Sequence, residues 1–181
     1  MQTLKVQKTR SAGKLLAVSA MFAALITVTT AFIKIPAPTG YAHAGDAAVY
    51  LTACVLPAPF GFIAAAIGGG LADLFSGYAV WVLPTAIIKA LTVLPFWLVR
   101  IFLNKKNKDD KLLRLPILAA LVFAGAITVG GYFLAECVMY DPGAAAAEVA
   151  FNLMQSLVGT ALFLAMGAAL DAVRFKQRIH L

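Results

Sequence analysis

Polar side chains recur at helical spacing inside otherwise apolar stretches of this 181-residue chain. Glu148, Asn152 and Gln155 are spaced i, i+4 and i+7, so on a helix they share one face. Amides and carboxylates placed on an apolar wall can hydrogen-bond a small polar molecule and fix its orientation. Alternatively, Asn152 and Gln155 form interhelical hydrogen bonds that only join neighbouring helices.

Further ionisable and aromatic groups lie at a similar depth in other apolar stretches. Tyr132 and Glu136 are spaced i, i+4, Lys89 lies about seven residues into its stretch, and Asp73 lies near the end of another. Ionisable residues at membrane depth commonly mark functional sites. The alternative is that Lys89 is a structural partner of Asp73 or Glu136.

The amino-acid composition indicates whether these helices lie in water or in a membrane. Hydrophobic residues make up 62% of the chain and charged residues 13%, and the mean hydropathy is +0.89. Soluble domains are about 45–50% apolar and about 25% charged. The composition therefore excludes a water-soluble enzyme and a disordered chain, and it predicts an integral membrane protein.

Six apolar segments predict helices at 12–33, 46–57, 60–77, 82–103, 115–137 and 148–173. A helix needs about 20 residues to cross the hydrocarbon core of a bilayer. Four segments meet this length, 60–77 is marginal and 46–57 is short. Pro57 and Pro59 lie where the two short segments meet. Because proline interrupts a straight helix, these segments are predicted to be two separate helices.

The positions of the basic residues indicate whether the short segment 46–57 crosses the membrane. Of the 15 Lys and Arg, 13 fall in three clusters, within residues 5–14, 100–114 and 174–178. Six crossings place all three clusters in the cytoplasm, whereas five would turn the central cluster outward, against the positive-inside rule. We therefore predict one all-α integral membrane domain over residues 1–181, with six transmembrane helices and both termini cytoplasmic. The net charge of +7 is then a topology signal, and no nucleic acid partner is expected.

With this topology, the polar groups of four helices lie in the outer third of the membrane and predict a pocket open to the outside. Tyr78 and Trp81 lie at its mouth, unless they are only interface-belt aromatics. Glu148 and Asp141 could likewise be solvated acids at a helix end. The loop 34–46 contains two Pro and two Gly, and irregular backbone at a membrane usually lines a cavity or packs on protein.

Catalytic and metal-binding patterns are not found in the sequence. It contains no Walker motif, no GxSxG and no HExxH, so no enzyme activity and no cofactor are expected. His43 stands alone in its loop, and Cys54 and Cys137 have no metal-ligand spacing, so no metal is expected.

Small residues at four-residue spacing allow helices to approach closely. Ala20 and Ala24 form an AxxxA pattern on the first helix, which could pack internally or against another protein. The glycines and alanines of 60–77 predict an internal packing helix.

The stretch IPAPTGYAHAGDAAVYLTACVLPAPFGFIAAAIGGGLADLFSGYAVWVLPTAIIKAL at 35–91, together with FNLMQSLVG at 151–159, resembles the substrate-binding S components of energy-coupling factor (ECF) transporters. It is most similar to the riboflavin-type branch that contains hydroxymethylpyrimidine and pyridoxine carriers. The resemblance implies a multi-pass protein of the bacterial cell membrane that captures a vitamin or vitamin precursor from outside. Hydroxymethylpyrimidine or pyridoxine is favoured over riboflavin. The implied partners are a transmembrane coupling protein (T component) and two ATP-binding-cassette ATPases, which hydrolyse the ATP.

The resemblance also implies roles for particular residues. The substrate site would use Tyr41, His43, Asp46, Lys89, Tyr132, Glu136, Asn152 and Gln155. Ala20 and Ala24 would contact the coupling protein.

Two alternative hypotheses about the function remain open from the sequence. One is a self-sufficient ion-coupled secondary transporter of a small polar solute, with Lys89 and either Asp73 or Glu136 as a proton relay. The other is a structural membrane subunit whose outer polar groups are all paired with one another.

Overall fold

The structure, a computed structural model, describes the backbone of residues 2–103 and 111–179 and the side chains of 12–102, 111–176 and Arg178. Several residues of the basic clusters lie outside the described side chains, namely Lys5, Lys8, Arg10, Lys105, Lys106 and Lys108.

The chain is mostly helical, as predicted. In order it forms α1 (Gln2–Phe32), the strands β1 (Lys34–Pro36) and β2 (Tyr41–His43), α2 (Asp46–Val55), α3 (Phe60–Phe75), α4 (Val82–Leu103), α5 (Leu115–Met139), α6 (Pro142–Ala172) and α7 (Phe175–Ile179). A single 3-10 turn (Ala79–Trp81) leads into α4.

Four helical stretches of the described chain are long and apolar enough to cross a membrane, at Ala12–Phe32, Ala79–Phe102, Leu115–Met139 and Pro142–Ala172. The remaining apolar helices, α2 and α3, are shorter. Large apolar side chains such as Phe32, Val122 and Val138 are exposed on the outer surfaces of the long helices. An apolar exterior is the arrangement expected of helices that face lipid.

The short helix α2 is enclosed by the others, since all ten of its residues are buried. At its start, Asp46 forms an ion pair with Lys89 of α4. Just past its end, the Leu56 carbonyl accepts a 2.9 Å hydrogen bond from Nη1 of Arg100, eleven residues further along α4. The helices α2 and α4 therefore run in the same direction. At ~1.5 Å per residue, α2 covers only about half of the ~30 Å core.

Glycines of α3 bring its two neighbours close. A Cβ on Gly68 would lie 2.7 Å from the Ala23 carbonyl oxygen of α1, and one on Gly69 would lie 2.9 Å from Cγ of Lys89 on α4. Real Cβ atoms do not approach that closely, so only glycine fits there. The predicted role of this helix in internal packing is confirmed.

Helix boundaries differ from the prediction mainly at the starts of α1 and α6, and α6 begins at Pro142 and not at residue 148. The Asp141 side chain accepts hydrogen bonds from the backbone N–H groups of Gly143 and Ala144, at 2.7 and 3.1 Å. An acidic N-cap followed by proline in the first turn is a strong helix start. The first helix likewise begins at Gln2, earlier than predicted, and α7 was not predicted.

Candidate functional site

A cleft lies between the β1–β2 hairpin and the adjoining ends of α3, α4, α5 and α6. It encloses about 370 Å³, including the part open at its mouth. Its lining contains three carboxylates, two amides and several aromatic rings. The lining residues are Thr39, Gly40, Tyr41, His43, Asp73, Trp81, Thr85, Tyr132, Glu136, Glu148, Asn152 and Gln155.

The hairpin forms one wall of this cleft. Its strands are antiparallel, with Lys34 opposite His43 and Pro36 opposite Tyr41. At the turn, the Thr39 N–H and Thr39 Oγ1 both donate to Oε1 of Glu148 on α6, the hydroxyl at 2.8 Å. The Pro- and Gly-rich loop thus has a fixed path along the cavity, as its composition indicated.

Tyr41 joins the hairpin to α3. Its hydroxyl donates a 2.6 Å hydrogen bond to Oδ1 of Asp73, and its ring lies 5.0 Å from the ring of Tyr78. Burial, followed by the hydrogen bond and charge of Asp73, raises the pKa of Tyr41 well above its usual value. Tyr41 therefore stays a neutral hydrogen-bond donor at physiological pH.

His43 lies deeper in the hairpin. Its backbone N–H donates to Oε1 of Gln155 at 3.2 Å, and its Nδ1 accepts from the backbone N–H of Gly45 at 3.1 Å. Burial and then the positive charge of Lys89 lower the pKa of His43 to about 3. The imidazole is therefore neutral at physiological pH and brings no positive charge to the cleft.

Beneath the cleft lies a small buried network. Lys89 donates to Oδ1 of Asp46, and Nε2 of Gln155 donates to Oδ2 of the same carboxylate at 3.3 Å. Gln155 is therefore the link between this network and the cleft, which it lines. The network joins α2, α4 and α6.

Three atoms on the cleft wall lack hydrogen-bond partners among the described residues. They are Oδ2 of Asp73, Oε2 of Glu136 and Nε1 of Trp81. The other oxygen of Glu136 accepts a 3.4 Å hydrogen bond from Nδ2 of Asn152. A buried polar atom left unpaired costs stability, so these are positions at which a ligand or an ordered water can complete the bonding.

The aromatic rings complete the wall. The rings of Trp81 and Tyr132 lie 5.8 Å apart at 57°, and the Tyr132 hydroxyl donates to Oγ1 of Thr85 at 3.3 Å. Trp81 is 6% exposed, so it is a wall residue and not a belt aromatic at the membrane surface. Glu148 is 3% exposed and holds the hairpin, so it is not a solvated helix-end acid. Asp141 is an exposed helix cap.

Most of the predicted site residues meet on this cleft. Six of the eight line it: Tyr41, His43, Tyr132, Glu136, Asn152 and Gln155. The other two, Asp46 and Lys89, lie outside its lining because they are paired with each other. The alternative in which Lys89 is a structural partner of Asp73 or Glu136 is wrong, because Lys89 pairs with Asp46.

The sequence did not reveal every lining residue. Thr39 and Gly40 belong to the loop that composition had marked as cavity-lining, but their own types carried no signal. Thr85 lies in an apolar helix and could not have been chosen from its spacing. Asp73, Trp81 and Glu148 were recognised as outer polar or aromatic groups but were not placed in the binding set.

No set of three or more His, Cys, Asp or Glu that could hold a metal ion occurs among the described residues. Ala20 and Ala24 of α1 are exposed. Ala24 lines an apolar groove together with Met21, Leu25 and Val28.

Comparison with known proteins identifies the family of this chain. The chain matches the family described as "ECF-type riboflavin transporter, S component" over residues 11–172. It belongs to this family. It is therefore a multi-pass membrane protein, and its family consists of substrate-binding transporter subunits and not of enzymes.

A relative from Pyrococcus woesei, described as "Uncharacterized protein in gap 3'region", is 33% identical over 137 residues. The similarity covers 74% of this chain and 86% of the relative.

Proposed function

We propose that this chain is the substrate-capture subunit of an ECF-type importer and binds a vitamin or vitamin precursor in the cleft from outside the cell. The observation that carries the proposal is the cleft wall itself. Glu136, Asp73 and Trp81 each direct a buried, unpartnered polar atom at it. A structural subunit would be expected to pair these groups internally, whereas a binding site leaves them for its ligand.

The proposed topology has six crossings, one domain over residues 1–181 and both termini in the cytoplasm. The parallel course of α2 and α4 supports it, because α2 then travels from the level of Lys89 to the basic end of α4. All three basic clusters then face the cytoplasm of a bacterial cell.

The proposed partners are a T component and two ATP-binding-cassette ATPases. We place the contact with the T component at Ala20 and Ala24, where small exposed residues on α1 leave room for another helix. The exposed apolar groove beside Ala24 is compatible with a helix seated there.

The size of the cleft favours a ligand with a single ring. Its volume of about 370 Å³ includes the part open at the mouth, so the walls enclose less than this. Hydroxymethylpyrimidine and pyridoxine need less of this space than the three fused rings of riboflavin. This supports the one-ring compounds as substrate.

Binding to the purified subunit alone tests the proposal. We expect one of the one-ring vitamins to raise the thermal unfolding temperature in detergent, without ATP, partner proteins or an ion gradient. In liposomes, uptake should require the T component, both ATPases and ATP. Uptake driven by a proton gradient in liposomes that contain this chain alone would contradict the proposal and support a secondary transporter.

A further inference from the structure

The charges around the cleft are unbalanced. Among the described residues, its lining includes three carboxylates, Asp73, Glu136 and Glu148, and no Lys or Arg. The nearby buried cation, Lys89, is already paired with Asp46 beneath the cleft. Lys34 lies at the surface, where it donates to Oγ of Ser76 at 2.7 Å.

The unpartnered atoms show the same imbalance. Two are carboxylate oxygens, on Asp73 and Glu136, and both residues are more than nine-tenths buried. A carboxylate oxygen can be satisfied by a hydrogen-bond donor and gains most from a positively charged one. Only one unpartnered atom of the wall, Nε1 of Trp81, is a donor.

The remaining groups do not reverse this preference. His43 is kept neutral by burial, with a pKa of about 3, so it cannot pair with an anion. The two nearby ammonium groups are also held by rings of the cleft: Nζ of Lys89 lies 5.2 Å from the Tyr132 ring centroid, and Nζ of Lys34 lies 4.4 Å from that of Tyr41. Aromatic rings attract positive charge through their faces.

We propose that the ligand is an aromatic heterocycle that carries an amino group or a protonated nitrogen, and that its N–H donors face Glu136 and Asp73. The Trp81 indole N–H is left to donate to one acceptor on the same ring. An anionic or phosphorylated form of the compound is rejected, because its charge would meet three carboxylates, while Lys89 and Lys34 are already engaged by Asp46 and Ser76. This inference rests on the proposed function and adds the charge and donor pattern of its substrate.

Matched pairs of ligands test the inference. The first pair is 4-amino-5-hydroxymethyl-2-methylpyrimidine and its 4-oxo counterpart, and the second is pyridoxine and its 5'-phosphate. Riboflavin and biotin complete the panel. We expect the amino compound to bind about 10- to 150-fold tighter than the oxo compound, the range of one charged hydrogen bond. The phosphate should bind more weakly than pyridoxine.

Protein variants test which carboxylates cause the preference for the amino compound. Glu136→Gln keeps the shape of the side chain and removes its charge, so it should abolish most of the preference for the amino compound. Asp73→Asn is the second variant and keeps the test valid if the first fails to fold. Asp141→Asn is the control, because Asp141 is a carboxylate that caps α6 and does not line the cleft.

The outcomes separate the two proposals. Equal or tighter binding of the oxo or phosphorylated compound, or an undiminished preference in both folded cleft variants, would overturn the inference and leave vitamin capture standing. A folded wild-type protein that binds no compound of the panel would overturn the proposed function and, with it, this inference.

Discussion

Lys89 and Asp46 form an ion pair inside the molecule in which neither side chain reaches solvent. The pair joins α4 to the first turn of α2, and Gln155 connects it to the cleft. Its two charges cancel within the packed interior, so the acidic character of the cleft above it is not offset. The pair therefore positions helices and is not part of the proposed binding surface.

Replacing only one member of this ion pair should destabilise the protein, because it leaves one uncompensated buried charge. We expect Lys89→Met or Asp46→Asn alone to lower the free energy of unfolding by about 3–5 kcal/mol. The double variant should recover most of that loss, since no lone charge remains. Unfolding in mixed detergent micelles would measure all three, and single variants as stable as the wild type would contradict the structural role.

Asn152 should contribute to ligand affinity more than to folding. Its Nδ2 makes one long hydrogen bond to Glu136 and lies on the cleft wall. We expect Asn152→Ala to weaken ligand binding about five- to 150-fold, the loss of one buried hydrogen bond. Leu153→Ala, on the exposed side of the same helix, is the matched control and should leave affinity unchanged.

Replacing Gln155 should affect both ligand affinity and folding stability. It accepts from the His43 backbone and donates to Asp46, so it holds the hairpin against the buried network. Gln155→Ala should therefore weaken ligand binding and also lower the unfolding temperature. Titration calorimetry and thermal unfolding would separate the two effects. Unchanged affinity in both Asn152→Ala and Gln155→Ala would remove the assignment of the site to this face of α6.

Assembly with partner proteins should depend on α1 and not on the cleft. We expect Ala20→Trp and Ala24→Trp to stop co-purification with the T component, because the larger ring prevents close helix approach. Ligand binding by the isolated subunit should stay intact. Ala126→Trp, on an exposed site of α5, is the matched control. Normal assembly of both α1 variants would contradict the proposed interface.

His43 should make stability depend on pH in the acidic range. Its pKa is lowered to about 3 in the folded protein, whereas the unfolded chain takes up a proton below about 6.5. The stabilising contribution is therefore complete above pH 6.5 and is lost as the pH falls from 6.5 toward 3.

Between pH 7.5 and pH 5, His43 should account for about 2 kcal/mol of lost stability. His43→Asn can still accept a hydrogen bond from Gly45 but does not titrate there. Unfolding of wild type and variant at both pH values would measure the difference. Equal pH dependence in the two proteins would contradict the burial of a neutral imidazole.

The helices of the fold could be predicted from the sequence because lipid imposes a strict length and polarity rule. The segment 82–103 matches α4 at both ends, and the polar spacing of Asn152 and Gln155 correctly gave their shared face. The start of α6 was missed although Asp141 and Pro142 carried the capping signal, because the alanines that follow are only weakly apolar.

The pairing of Lys89 could not have been predicted in the same way. Depth along a helix places Lys89 near several carboxylates, but it does not say which helix neighbours α4 at that level. Gly69, which lets α3 approach α4, and the burial of α2 bring Asp46 to it. Likewise, Thr39 reaches Glu148 only through the path of the hairpin turn, which no periodic pattern encodes.

The most direct test of vitamin capture is native mass spectrometry of the protein purified in gentle detergent from cells grown in rich medium. We expect a retained small molecule with the mass of a one-ring vitamin or precursor. A folded Asn152→Ala, Glu136→Gln double variant should be purified without that molecule. A folded wild-type protein that retains nothing, and whose unfolding temperature no vitamin shifts, would contradict vitamin capture.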